Sequence, residues 1–214
     1  MQSKLTSVRT PLKARRAQAE RSEAMRRRLL EAATAVLKDR SLAGFRTAEV
    51  IALAGVSKGA LLHHFPTKVQ LIVAVFERIY DEIDDTARSL PPGSTLQQAI
   101  NALIADSHDF FFGESFNVSL DIMISAARDP ELRDAIFDVV RRFRKQTEEI
   151  WTARLTAYGL TRDKAHDAVW LVNSTVRGLA MRALWEPDLP RFQRLERVTA
   201  AIIARHLSVP EEAI

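Results

Sequence analysis

Thr47-Ala-Glu-Val-Ile-Ala-Leu-Ala-Gly-Val-Ser-Lys-Gly-Ala-Leu-Leu-His-His-Phe-Pro-Thr-Lys68 is the stretch on which the reading of this chain turns. Thr47 suits a helix N-cap, and Glu49 places an acid in the first turn, where the helix dipole favours one. Val50, Ile51 and Ala54 make an apolar face. Gly55 can take the left-handed conformation that ends a helix, with Val56 tucked into the turn that follows. Ser57 caps a second, short helix in which Leu61 and Phe65, four apart, face inward while Lys58, Ala60, His63 and His64 point elsewhere. Pro66 stops that helix, and Thr67 with Gln70 forms a capping box for the helix that Lys68 opens. Two short helices joined by a glycine turn, the second with a small polar outer side suited to a major groove, predict a helix-turn-helix. On geometry alone, an αα-hairpin with no nucleic-acid role is an equal alternative.

Charge supports the first reading. The net charge of +4 is unevenly spread, because residues 1–80 carry 15 Lys+Arg against 6 Asp+Glu whereas residues 81–214 carry 16 against 21. A basic end of this kind supplies the phosphate attraction a DNA binder needs, and it would equally suit RNA or an anionic membrane. The chain contains no Cys, which excludes disulfides, thiolate zinc sites and cysteine nucleophiles. No apolar run reaches the roughly 18–20 residues of a membrane span, and no apolar stretch follows the basic N-terminus. The expectation is a soluble cytoplasmic protein. The acid-free start also fits a transit peptide by composition, but it is read as a disordered basic arm.

Outward from the decisive stretch the pattern is helical nearly throughout, with Met25, Leu29, Ala33, Val36 and Leu37 on one face. Further helices are expected at 47–54, 58–64, 68–89, 95–112, 116–127, 131–158, 162–184 and 191–206. Breakers separate them: Gly44, Gly55, Pro66, Pro91-Pro92-Gly93, Gly113, Asp129-Pro130, Gly159 and the run from Pro187 to Pro190. The fold class is all-α. Three regions are expected: a disordered basic arm at 1–24, a three-helix helix-turn-helix DNA-binding domain at 25–72, and a larger helical ligand-binding and dimerisation domain at 73–214.

The order Thr47, Ile51-Ala52, Ala54-Gly55-Val56-Ser57, Gly59, His64-Phe65 and Lys68 resembles the N-terminal signature of the TetR family of bacterial regulators, over roughly residues 26–75. The resemblance implies a homodimeric transcriptional regulator, a repressor by the family's usual sign, released from a palindromic operator by a small-molecule effector. It further implies a DNA-binding set of Thr47, Ser57, Lys58, Gly59, Ala60, His63, His64 and Lys68, in which Thr47, His64 and Lys68 touch backbone phosphates while Lys58, Gly59, Ala60 and His63 approach base edges. Ala60 could meet a thymine methyl, and Lys58 or His63 could donate to guanine. His63 could also be a solvated surface histidine, and His64 a cap for the helix end. In one place the chain departs from the pattern: the family's usual Tyr, a phosphate contact, is Leu62 here. Arg9, Lys13, Arg15, Arg16, Arg21 and Arg26 to Arg28 are expected to hover near phosphates or to follow the minor groove.

In the body, aromatics mix with occasional polar groups on helix faces, for which core packing is the default account. Family members usually hold an effector pocket there, so His108, Phe112, Phe116, Met123, Trp151, Trp170, Asn173 and Arg177 are the candidate ligand residues. Arg177 would suit an anionic effector or could be half of an ion pair. Two stripes, Ala165 to Ala183 and Phe192 to Ile202, need covering, and Gly178 permits close helix approach. Intramolecular packing could cover them; the resemblance implies a dimer interface made by the last two helices.

Catalysis finds no support. Asp106-x-His108-Asp109, His63-His64 and the acids at 81–85 lack catalytic or metal-ligand spacing, and no phosphate loop, nucleophile elbow or zinc motif occurs. No cofactor or metal is expected. The rival is a TetR-like DNA-binding protein controlled by a protein partner, or organising DNA, without a small-molecule effector. A cavity of a few hundred cubic ångströms favours the effector reading; a solid core favours the rival.

Overall fold

The computed structural model describes residues 12–89 and 93–207. Among them are nine helices and no strand: α1 (Leu12–Gly44), α2 (Thr47–Ala54), α3 (Lys58–His64), α4 (Lys68–Ser89), α5 (Leu96–Phe111), α6 (Glu114–Ala126), α7 (Pro130–Thr156), α8 (Arg162–Ala183) and α9 (Leu189–Leu207). The chain divides into two compact units between Val75 and Phe76, inside α4, three residues later than the division expected after residue 72.

The first unit closes on an apolar stripe of α1. Leu29, Ala33, Val36 and Leu37 are buried as their spacing requires, together with Phe45, Val50, Ala54, Leu61, Phe65, Leu71 and Ile72. Residues 12–24, expected within a disordered arm, are helical and continuous with α1. Ala, Arg, Gln and Glu are strong helix formers, and Arg16 sits 3.3 Å from Glu20 one turn on. Arg9 lies outside the described residues. The helical geometry of α1 breaks at Ser41 (φ 53°), three residues before the expected breaker Gly44. Arg28, expected near phosphates, is engaged within the unit instead. Its guanidinium donates to the Ala54 carbonyl at 2.5 Å, neutralising the negative end of α2. Arg28→Ala should therefore cost about 1 kcal/mol and speed hydrogen exchange at the α2 and α3 amides; unchanged exchange there would show that the contact contributes nothing.

The second unit is built on α5, α7, α8 and α9. Ile100, Leu103, Trp151, Leu155, Val169, Val172, Val176, Ala200 and Ile203 form its buried centre. Each helix start is specified locally. Thr95 accepts from the Gln98 amide, Asp129 from the amides of Glu131 and Leu132, with Pro130 in the first turn, and Thr161 from that of Lys164. No described helix is long and apolar enough to cross a membrane.

Candidate nucleic-acid interface and effector cavity

In the first unit, α2 and α3 follow the local chemistry nearly residue by residue. Gly55 ends α2 at φ 63°, ψ 42°, its amide donating to Ala52 and that of Val56 to Ile51. A side chain there would be strained by the positive φ, although a Cβ would meet only the end of Arg28, at 3.4 Å. Ser57 Oγ accepts the Ala60 amide at 3.1 Å and opens α3. Thr67 and Gln70 exchange side-chain-to-amide bonds at 3.1 and 3.2 Å, forming the expected capping box. Thr47 is a correction. The N-cap position belongs to Arg46, which makes no side-chain cap, so Thr47 is the first helical residue and its hydroxyl does not close the helix end.

α3 is anchored from beneath by Leu61 and Phe65, both buried. Its outer side carries Lys58, Gly59 and His63, all exposed, with Ala60 and His64 partly so. His63 and His64 meet edge to face at 5.3 Å, and Arg26 lies 5.5 Å over the Phe65 ring. Lys68 Nζ donates to the Phe45 carbonyl at 3.3 Å and stands 5.4 Å over the Phe45 ring. Partial burial, and then the neighbouring Arg46 charge, hold the Lys68 ammonium below its ordinary pKa. An ammonium has three protons to donate, and Phe45 takes one. Arg46 was missed in the sequence. Its guanidinium bonds the carbonyls of Ala43 and Phe45, which puts a second cation beside Lys68, where an anion would relieve their repulsion. Leu62 is exposed on α3, an apolar group where the pattern would place a phenol.

The second unit holds a cavity of about 170 Å³ among α4, α5, α6, α7 and α8. Of the eight candidate ligand residues, Phe116, Met123, Trp151, Asn173 and Arg177 line it. The other three do not. His108 bonds Glu196 at 2.7 Å and stacks on Phe112 at 4.3 Å, and Phe112 in turn meets Phe192. His108 faces a shallower groove of about 300 Å³ between α5 and α9. Trp170 is 44% exposed on α8.

The cavity's polar groups are mostly satisfied by one another. Trp151 Nε1 donates to Asp106 at 2.8 Å, and Ser107 Oγ lies 2.8 Å from the Asn173 amide oxygen. Burial pushes the Tyr80 phenol up to about 12, against the opposing effects of Ser119 and the Arg177 charge, so it stays a proton donor at neutral pH. No carboxylate is paired with Arg177 among the described residues. Tyr80, Asp106, Ser107, Arg144 and Glu148 also line the cavity and were missed. A signal was present for two of them: Ile100, Leu103, Asp106, Ser107 and Phe110 recur at three- and four-residue spacing, which sets polar groups on an apolar stripe.

Comparison with known proteins fixes the family. The family model for bacterial regulatory proteins of the tetR family matches residues 29–75, the whole of the helix-turn-helix. The transcriptional regulator CymR of Pseudomonas putida is 42% identical over 189 residues, 88% of this chain and 93% of CymR. The chain belongs to the TetR family. A TetR protein is a DNA-binding transcriptional regulator and not an enzyme, which gives the solvent-facing side of α3 its meaning. A second relative, the transcriptional activator FasR of Mycolicibacterium smegmatis, is 28% identical, covering 70% of this chain and 73% of FasR. The fold is that of solved TetR-like regulators. A transcriptional regulator from Rhodococcus sp. Rha1 superposes with TM-score 0.70 at 22% identity, covering 86% of this chain and 98% of that one. FadR from Bacillus subtilis, solved with stearoyl-CoA, does so with TM-score 0.56 at 15% identity, covering 83% and 96%.

Proposed function

We propose that this TetR regulator is a cytoplasmic homodimeric repressor whose two α3 helices read the half-sites of a palindromic operator, and that a small molecule entering the second unit's cavity releases it. The observation that carries the DNA half is the outer side of α3. Lys58, Gly59, Ala60 and His63 lie on the solvent side of a helix pinned from beneath, and they meet base edges. Thr47, His64 and Lys68 meet phosphates; Arg46 joins them. Selection of bound sequences from random DNA at stated salt should return a palindrome with half-sites about 34–36 Å apart. A pool with no enriched site would overturn sequence-specific reading. Within that assay Lys68→Ala should weaken binding to all sequences alike and lower the salt slope by about one, whereas His63→Ala should change preference at particular bases. Equal slopes for Lys68→Ala and the parent would remove the phosphate contact.

The cavity, at about 170 Å³, is smaller than the few hundred cubic ångströms expected for the effector reading, but the second unit is not the solid core that the rival expects, so the effector reading rests on the cavity's polar lining as much as on its size. Its volume lies below the roughly 300 Å³ at which drug-sized sites begin, which favours a small organic effector. Arg177, with no carboxylate paired to it among the described residues, suits a negatively charged end on that molecule. FadR's stearoyl-CoA complex is a precedent for a ligand on a like fold. The two stripes expected to face the partner are in good part covered within the protomer, since Ala165, Val169, Val172, Val176 and Phe192 are buried, so the dimer reading rests instead on the apolar side chains that stay exposed. Among the described residues, Trp170, Leu171, Leu184, Trp185, Leu189, Leu195, Val198 and Ile202 make up eight of the eleven large hydrophobics left exposed, and all lie on α8, α9 or the turn between them. A monomeric mass at micromolar concentration would overturn it.

A further inference from the structure

Of the fourteen residues lining the cavity, only Arg144 and Arg177 are exposed. Arg144 on α7 and Arg177 on α8 are thus the lining side chains that reach furthest into solvent. Arg144 is not loose there. Its guanidinium lies 5.0 Å over the Trp170 ring, and its Nε stands 3.6 Å from one Glu148 carboxylate oxygen. The other oxygen of Glu148 is 3.7 Å from His166 Nε2, and the His166 ring stands 6.0 Å from that of Trp170. The four contacts form a closed ring, with Arg144 and Glu148 one turn apart on α7 and His166 and Trp170 one turn apart on α8.

Trp170 also belongs to a second surface. Trp170, Ser174, Gly178 and Met181 recur at three- and four-residue spacing along α8, and Trp170, with Trp185 in the turn that follows, is among the exposed apolar side chains that the dimer reading assigns to a second copy of the chain. We propose that the ring of Arg144, Glu148, His166 and Trp170 is the gate of the cavity, and that the partner subunit covers the outer side of Trp170 and so holds the gate shut. The cavity is then incomplete in a single protomer. This rests on the dimer reading for its second half only; the gate itself stands on the contacts within one chain.

The chain's three tryptophans make the test direct. Trp151 is 1% exposed and lines the cavity, so contact quenching of its emission by acrylamide, a small uncharged solute, reports access. In the full-length double variant Trp170→Phe with Trp185→Phe, Trp151 is the only indole, and an aromatic ring remains beneath Arg144. Replacing Phe by Ala at 170 in that background should raise the Stern–Volmer constant at least about threefold, as should adding Arg144→Ala, which lies on α7 and leaves the α8 and α9 surface untouched. Circular dichroism and sedimentation identify any variant that has lost its fold or its mass. Unchanged quenching in Arg144→Ala with the fold intact would overturn the gate. Ile202→Arg, on α9 and away from the ring, should yield monomers with raised quenching of Trp151. Monomers with unchanged quenching would overturn the partner's part and leave the dimer reading standing. A parent that is itself monomeric would overturn the dimer reading and the partner's part together, with the gate still decided by the first two variants.

Discussion

Gly59→Glu is expected to fold like the parent and to lose at least about 100-fold in operator affinity, close to 3 kcal/mol. The protein itself has no need of glycine at this position. A Cβ there would meet nothing closer than Ser57 Oγ at 3.8 Å, and the residue does not adopt a positive φ. An acid in the first turn of α3 should even stabilise the helix slightly, because the unpaired amides give that end a partial positive charge. Against DNA the balance reverses. A side chain occupies the space through which the backbone of α3 approaches the groove, and its carboxylate enters a field set by one phosphate charge per 1.7 Å of duplex. Thermal unfolding followed by circular dichroism should be unchanged or improved, while fluorescence anisotropy with the selected operator shows the loss. Parental affinity in Gly59→Glu would remove α3 from the interface.

Gly178→Leu should convert the dimer to monomers at micromolar concentration while raising the stability of each protomer. A Cβ at 178 finds nothing within 4 Å inside the protomer, and the position is exposed in the middle of α8. Glycine in a helix interior costs about 1 kcal/mol relative to alanine, so isolated protomers would be better served by almost any other residue. The dimer reading supplies a use for glycine here, since it would let a helix of the second copy approach closely. Leucine would hold that neighbour away, and with the two reading heads uncoupled the operator affinity should drop by about 100-fold or more. Sedimentation decides the matter: a Gly178→Leu protein of unchanged dimer mass would show that α8 does not meet its partner at this point.

The two units were not equally legible in the sequence. The helix-turn-helix is written in local chemistry: a glycine that must be left-handed, a serine cap, a reciprocal capping box and a proline stop each act within four residues, so their order alone gives α2, the turn and α3. Even there Thr47 shows the margin of error, since a threonine is as much at home in the first helical position as one residue earlier. The cavity is different in kind. Asp106 is 45 residues from the indole that satisfies it, and Arg144 meets Trp170 across two helices. Nothing in a linear pattern pairs such groups, so aromatics and isolated polar residues were gathered by type. Five of the eight candidates converge on the cavity, whereas His108 and Phe112 belong to the α5–α9 contact and Trp170 to the outer face of α8. Arg28 misled in the opposite direction. Its charge set it among the cations expected near phosphates, while its reach to the Ala54 carbonyl makes it part of the scaffold.

On α5, neighbouring residues answer to different parts of the fold. Asp106 and Ser107 are bonded to α7 and α8 around the cavity, while His108, next in sequence, is bonded to Glu196 on α9. Successive helical residues point about 100° apart, so α5 is moored on two sides by hydrogen bonds that no small rotation can keep together. A helix held in this way does not yield in proportion to a push. It should stay in register until one mooring gives way, so if the cavity takes an effector as proposed, α5 is expected to shift in a step rather than by degrees.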